Sequence, residues 1–419
     1  MKSLSIDKFI QSMLVLYLIA WSISPPLQID TIYRIAALGC AILWFILNIP
    51  YQVKFERIHI LSLFFLLLVV LVTLIQYKGD LTSILKPIHY YILVLAFLIA
   101  YCYKDRWEEL EFLIPIVLIL FIYFNYKSNQ AVVEDPTIAR LIVRDDPEIY
   151  PYMRSGVGGY NLLYPQVCVL PMLVSWMLGV FRKSKIKFVI GVLWLISYVV
   201  FLLNSGYSIA LVTSIASLII LFFYKRKSVT MAIIITALLI VLLVWLIGYV
   251  DGFRNSLLTF FDGTKVARKI EDIYLSITTD NTADSIMMRI ERYKYSIQTI
   301  FNYPIIGGLW WDSGGGHSAL LDTFAKYGLF GGYIFVCIIF GFPMILKKSE
   351  NKKDIKLGNA LIISILLVVL LDSLTYNFVF TILLLTPMCY HNISVWRNDH
   401  ENTLDSKPSA VASGETVKN

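Results

Sequence analysis

The feature that most constrains this chain is a series of long apolar blocks, among them 60–75, 188–203, 231–250 and 361–371. They supply all or the apolar core of the roughly 20 residues that cross a hydrocarbon core as a helix. Composition agrees: 58% of the 419 residues are hydrophobic and 16% are charged, against roughly 45–50% and about 25% in an ordinary soluble domain. A soluble globule is excluded, and an all-α polytopic membrane protein is expected. The first block, 9–24, ends in Pro25-Pro26 without a small-residue cleavage site, so it reads as a retained span and not as a removed signal. Cys40, Cys102, Cys168, Cys337 and Cys389 all lie in or beside apolar blocks, a placement that suggests neither a disulfide framework nor zinc spacing.

Cutting the chain at its charged and Pro/Gly punctuation predicts spans near 9–24, 35–49, 58–76, 86–103, 110–126, 160–181, 188–204, 208–224, 230–250, 328–346, 357–374 and 377–390. That makes about twelve, in a single membrane domain over 1–400, with a polar tail at 401–419 that has little to bury and is expected to be disordered. The basic clusters at 54–57, 104–106, 182–187, 225–227 and 347–356 all fall on one face, which the positive-inside rule assigns to the cytoplasm together with both termini. The net charge of +7 then needs no nucleic-acid partner. The remaining polar mass, 127–160 and 251–327, falls on the opposite face, and chemistry is expected there. No internal repeat of the kind that marks many transporters is found.

In the larger outer loop, Ile286, Ile290, Tyr293, Ile297 and Ile300 recur at helical spacing and predict an amphipathic helix. Arg289 borders that stripe and Arg292 lies further round, so two guanidinium groups share one face. Two readings are open. The pair can clamp one anion, since the planar fork matches phosphate oxygens, or it can simply solvate an interfacial helix. After Pro304 comes Ile305-Ile306-Gly307-Gly308-Leu309-Trp310-Trp311-Asp312-Ser313-Gly314-Gly315-Gly316-His317-Ser318. No Gly-Lys-Ser/Thr follows and no strand precedes it, so a nucleotide phosphate loop is excluded, and a flexible loop approaching the substrate is expected. The stretch from Ala319 to Tyr327 predicts a short helix capped by Ser318 and stopped by Gly328.

His317 stands just ahead of that helix, where the partial positive charge of a helix start disfavours the imidazolium and leaves a neutral base. A plain surface histidine is the alternative. Of the other four, His59, His89, His391 and His400 lie in or beside spans or in the tail. Asp322, one turn along, either orients His317 or decorates the helix. In the smaller loop Asp145, Asp146 and Glu148, beside Arg140 and Arg144, can hold a divalent metal or form an ordinary solvated loop, the reading preferred here. Arg154, followed by glycines at the mouth of a span, is a better candidate for an anion contact.

The order Arg289, Pro304, Gly307-Gly308, His317-Ser318 and Gly328-Leu329-Phe330-Gly331 resembles the shared signature of the O-antigen polymerase and O-antigen ligase superfamily. The segment Arg154-Ser155-Gly156-Val157-Gly158 is similar to that family's smaller-loop arginine, and the topology is similar over most of the chain. At the turn Leu203-Asn204-Ser205-Gly206-Tyr207-Ser208, where ligases usually carry an arginine, no basic residue stands; its work would pass to Arg154, Arg289 or Arg292. The resemblance implies a glycosyltransferase in a bacterial inner membrane that polymerises undecaprenyl-pyrophosphate-linked repeat units of O-antigen or capsular polysaccharide, inverting and without a cofactor or metal. It implies His317 and Arg289 as catalytic, Arg154, Arg289 and Arg292 as pyrophosphate-binding, and Ser318 and Asp322 as supporting, with a chain-length regulator and a flippase as partners. The rivals are a ligase transferring polymer to lipid A core and a glycan flippase or transporter. A flippase is expected to carry paired ionisable groups in its spans, where only Lys86 and Asp372 stand out, neither with an obvious partner.

Overall fold

The computed structural model describes residues 6–48, 56–79, 83–84, 86–135, 138, 147–181, 183–224, 228–278, 284–309, 314–372 and 376–394. Their regular secondary structure is helical, with no strand among the described residues. In chain order the α-helices are α1 (Ile6–Ile23), α2 (Pro25–Ile29), α3 (Thr31–Asn48), α4 (Arg57–Gln76), α5 (Ile88–Cys102), α6 (Leu113–Glu134), α7 (Tyr150–Arg154), α8 (Tyr160–Val180), α9 (Lys185–Ser205), α10 (Ser208–Phe223), α11 (Val229–Tyr249), α12 (Asp251–Phe260), α13 (Lys265–Thr278), α14 (Asp284–Asn302), α15 (Ala319–Lys348), α16 (Lys352–Leu371) and α17 (Tyr376–Phe380). The last continues through a π turn, Thr381–Leu385, to Ser394.

Among the described residues, nine helices are long and apolar enough to cross a membrane: α1, α3, α4, α6, α8, α9, α11, α15 and α16. The other three expected spans fall on shorter apolar helices, Ile88–Cys102, Ser208–Phe223 and Phe378–Ser394. The chain is a multi-pass helical membrane protein.

The centre of the bundle is α8, 83% of whose apolar window is buried, with α16 at 72%, whereas α11 at the edge buries 22%. A helix that is apolar all round belongs inside a bundle or against lipid. What distinguishes α8 is a polar group held within it. Gln166 Nε2 donates to Asn125 Oδ1 on α6 at 2.9 Å, and Gln166 Oε1 accepts from Asn125 Nδ2 at 3.0 Å and from Trp194 Nε1 of α9 at 2.9 Å. Satisfied this way, buried amides fix the register of three helices, because a slip would strand them in a medium without water. At the other side of the core Gly358 of α16 brings that backbone against the Pro343 carbonyl of α15, where a Cβ would sit only 2.8 Å away. Small residues permit such approach between spans.

Helix α15 joins two expected elements. Ser318 caps it, its side chain accepting from the Leu321 amide, and at Gly328 the backbone leaves helical geometry with φ 63° and ψ −162°. A left-handed φ of this kind is unstrained only for glycine. The kink separates the short helix 319–327 from the apolar run that follows.

One expectation is corrected on α14. The stripe of Ile290, Tyr293, Ile297 and Ile300 is not a single buried face: Ile290 and Ile297 are exposed, while Tyr293 and Ile300 are half-buried and Ser296 and Thr299 are buried. The packed face is therefore rotated toward the arginine side of the helix, and small hydroxyls allow α14 to lie close to α15. The side chain of Ile286, the tail 401–419, the segment Trp310-Trp311-Asp312-Ser313 and residues Arg140, Arg144, Asp145, Asp146 and His400 lie outside what is described.

Candidate functional site

Three segments converge where the larger loop meets the bundle: the middle of α14, the glycine run with the start of α15, and the end of α16. Arg292 Nη1 lies 3.0 Å from His317 Nε2. A guanidinium has no acceptor, so Nε2 accepts and the ring proton resides on Nδ1. Below this pair Ser296 Oγ donates to Asp322 Oδ1 at 2.7 Å and accepts from the Gly315 amide at 2.8 Å, and the Ser318 amide donates to Asp322 Oδ2 at 3.2 Å. Ser296, Ser318 and Asp322 are all buried. Asp322 does not reach the imidazole by a hydrogen bond; it holds the main chain on both sides of His317.

The glycines have a steric function here, not the flexible one expected. A Cβ on Gly315 would collide with the Arg292 carbonyl, and one on Gly314 would come within 2.9 Å of Asp322 Oδ1. The run threads between α14 and the first turn of α15, which is how residues 25 apart in sequence come into hydrogen-bond contact. Gly307 does the same beside Lys326 and Gly328. There the Gly308 amide donates to the Ala325 carbonyl and the Leu329 amide to the Pro304 carbonyl, both at 2.8 Å. The Pro304, Gly307-Gly308 and Gly328 spacing is thus the pattern of one backbone seam.

Tyr293 Oη donates to the Leu371 carbonyl at 3.3 Å, and the Asp372 carbonyl accepts from the Ala319 amide at 2.7 Å. These bonds dock α14 and α15 on the end of α16. Arg289, exposed on α14, hydrogen-bonds to Tyr293 and shares an electrostatic environment with Tyr164 and Asp372. Beyond it lie Tyr160, Tyr164 and Tyr207, whose rings are 6.1 to 6.3 Å apart.

Burial holds the His317 imidazole below its ordinary pKa of 6.5, and the Arg292 and then the Arg289 guanidinium push in the same direction, against Asp322. Desolvation and neighbouring positive charge both penalise the imidazolium, so a neutral ring near neutral pH follows. Burial raises the Tyr293 phenol above its usual value, with Arg289 opposing.

The structure brings Arg289, Arg292, His317, Ser318 and Asp322 together. Arg154 pairs instead with Asp30: its Nη2 lies 3.3 Å from Asp30 Oδ1, at 65% and 45% side-chain exposure, and no hydrogen bond or ion pair among the described residues links it to that group. Glu148 is exposed. The other described histidines have structural surroundings. His59 is buried and stacks on Phe97 at 4.9 Å, His89 packs on Tyr90 at 4.4 Å, and His391 Nδ1 meets Glu111 Oε1 at 2.7 Å. Lys86 and Asp372, expected to lack obvious partners, both have company. Lys86 Nζ sits 3.7 Å from the centre of the Tyr77 ring, and Asp372 faces the Tyr164, Tyr207 and Tyr293 group.

Sequence reasoning missed Ser296. Its one signal was a small hydroxyl a turn after Arg292, on a helix side that also carries Thr299. It also missed that Gly206, with φ 71°, lies under Lys265 of α13, where a Cβ would come within 2.9 Å of the lysine Cβ. A lysine from the larger loop thus covers the turn that lacks an arginine. No protein-family model and no curated protein matches this chain, and the chemistry of the site rests on its own residues.

Proposed function

We propose that the chain is a membrane glycosyltransferase that extends a polysaccharide by moving a growing glycan from a polyprenyl pyrophosphate to a hydroxyl on another lipid-linked repeat unit. The observation that carries this reading is the Arg292–His317 contact: a neutral imidazole whose Nε2 lone pair accepts from a guanidinium at 3.0 Å, with Arg289 beside it on the same helix. In the proposed reaction the acceptor oxygen attacks the anomeric carbon from the face opposite the leaving group. The bond from that carbon to the phosphate oxygen breaks, and the anomeric centre inverts. The departing pyrophosphate gains negative charge, which Arg289 and Arg292 meet with paired donors. The hydroxyl proton passes to His317 Nε2.

The resting contact orders these events. While Arg292 donates to Nε2, the base is occupied. A pyrophosphate competes for the same guanidinium and, by drawing it away, frees the lone pair when the donor is bound. Loss of the nearby positive charge to the phosphate also raises the basicity of the ring at that moment. Asp322 and Ser296 act through the backbone, holding His317 where the acceptor oxygen arrives. Arg154, engaged with Asp30, has no part in these steps.

Purified protein given lipid-linked repeat unit alone is expected to produce a ladder of products. Extension only after lipid A core is added would assign the same residues to a ligase, and transfer of intact lipid across a bilayer without new glycosidic bonds would assign the chain to a flippase.

A further inference from the structure

Around the axis of α14 the side chains fall into three sectors. At 100° per residue Ile290, Lys294, Ile297 and Phe301 lie within an arc of about 60°. Glu291 and Gln298, both exposed, lie about 90° to one side of that arc. Arg292, Ser296 and Thr299, the sector packed on α15, lie nearly opposite the arc, about 160° from its centre. The first sector is apolar and uncovered: Ile290 and Ile297 are exposed and Phe301 is 80% exposed. The apolar surface does not stop at the helix end. Tyr303, Ile305 and Ile306 are exposed as well, Ile305 at 72%, and the Leu329–Pro304 and Gly308–Ala325 bonds fix them beside the first turn of α15 after the kink. On that turn Leu329, Phe330 and Tyr333 are also exposed.

This continuity identifies what covers the face. Leu329, Phe330 and Tyr333 belong to a helix long and apolar enough to cross the membrane, so their exposed side chains meet lipid, and Ile305, Ile306 and Phe301 extend the same surface sideways along α14. We infer that α14 is an interfacial anchor: it lies along the bilayer surface with Ile290, Ile297, Phe301, Ile305 and Ile306 in the adjacent leaflet. Helices of this kind place the apolar face about 5–10 Å into the boundary between headgroups and acyl chains. Lys294, at the edge of the apolar arc nearest Gln298, then reaches up to lipid phosphates along its own methylenes. Glu291 and Gln298 face water. The protein-facing sector holds Arg292, and His317 against it, at headgroup depth, so a pyrophosphate fixed to a membrane-embedded polyprenyl chain meets the site without leaving the bilayer. The anchoring depends on the bundle being in a membrane and not on the glycosyl-transfer reading, and it can fail or stand separately.

The test uses the full wild-type chain reconstituted in phosphatidylethanolamine/phosphatidylglycerol vesicles that contain a phospholipid with a diazirine near the start of its acyl chain. After photolysis, mass spectrometry maps the adducts. Adducts on 288–306 as frequent as those on 329–333 are expected. Labelled spans with no adducts on 288–306 overturn the inference, and so do cross-links between two copies through Phe301, which would give the face to a second copy. With Phe301→Asp and Ile305→Asp combined, the adducts on this segment should fall at least tenfold, as judged from the apolar anchorage lost, while Gln298→Asp leaves them unchanged. Equal labelling of wild type and the double variant also overturns it.

Discussion

Arg292 and Arg154 both stand in polar segments between apolar runs, and as sequence both read as candidate anion contacts. The structure separates them. Arg292 is one member of a connected group in which a histidine, two buried serines, a buried aspartate and a glycine backbone fix one another. Arg154 pairs with a half-exposed carboxylate in water, an arrangement that contributes about 1 kcal/mol at most. The contrast shows that a charged residue becomes a candidate for chemistry through the rigidity of what surrounds it. Residue type and a polar segment between apolar runs are shared by both.

The sharpest way to break this comparison is His317→Gln, which keeps a polar side chain but removes the base. Product formation from lipid-linked repeat units should fall by about 10²–10⁴, with thermal unfolding in detergent unchanged; unaltered polymer length and yield would refute the catalytic reading. Next is Arg292→Gln, expected to lower turnover by about 10²–10³ through loss of one donor to the leaving group. It also has a signature in pH. Because Arg292 depresses the His317 pKa, its removal lets that value rise toward 6.5, and the neutral base is lost at higher pH than in wild type. The acid limb of the rate profile should therefore move upward. Asp322→Asn should move it the other way, since the carboxylate raises the His317 pKa.

The same Asp322→Asn change leaves a buried donor short of an acceptor and should cost about 1–3 kcal/mol in unfolding free energy. Gly315→Ala drives a methyl group into the Arg292 carbonyl and should cost a similar amount, about 1–3 kcal/mol, with activity lost alongside stability. Arg154→Ala should have the smallest effect, less than about fivefold in rate, the equivalent of about 1 kcal/mol. A loss as large as that of Arg292→Gln would mean that Arg154 abandons Asp30 when substrate binds, and would erase the distinction between the two regions.

Much of the fold was legible because lipid imposes a length on apolar runs: nine helices among the described residues are long and apolar enough to cross a membrane, and on the other three expected spans lie the shorter apolar helices α5, α10 and the Phe378–Ser394 segment. The cap at Ser318 and the break at Gly328 were legible for local reasons, a hydroxyl ahead of a helix and a residue tolerant of positive φ. The site was legible as residues but not as contacts. Nothing near Gly315 announces that its hydrogen would face the Arg292 carbonyl, and nothing near Arg154 points to Asp30, 124 positions away. The rotation of α14 was misread because periodicity counts apolar residues, and here the packed face is built from hydroxyls while large apolar side chains face outward.

The first turn of α15 has one more consequence. A helix start is ordinarily a place where bare amides receive an anion, but here three of the four are already engaged, by Asp322, the Asp372 carbonyl and the Ser318 hydroxyl. The positive charge at this end of the molecule is therefore carried on long, rotatable side chains and not on fixed dipoles. An anion received by such arms is gripped at an entropic cost and released readily in salt. Under the proposed glycosyl transfer, that suits a carrier phosphate, which would be let go after every turnover.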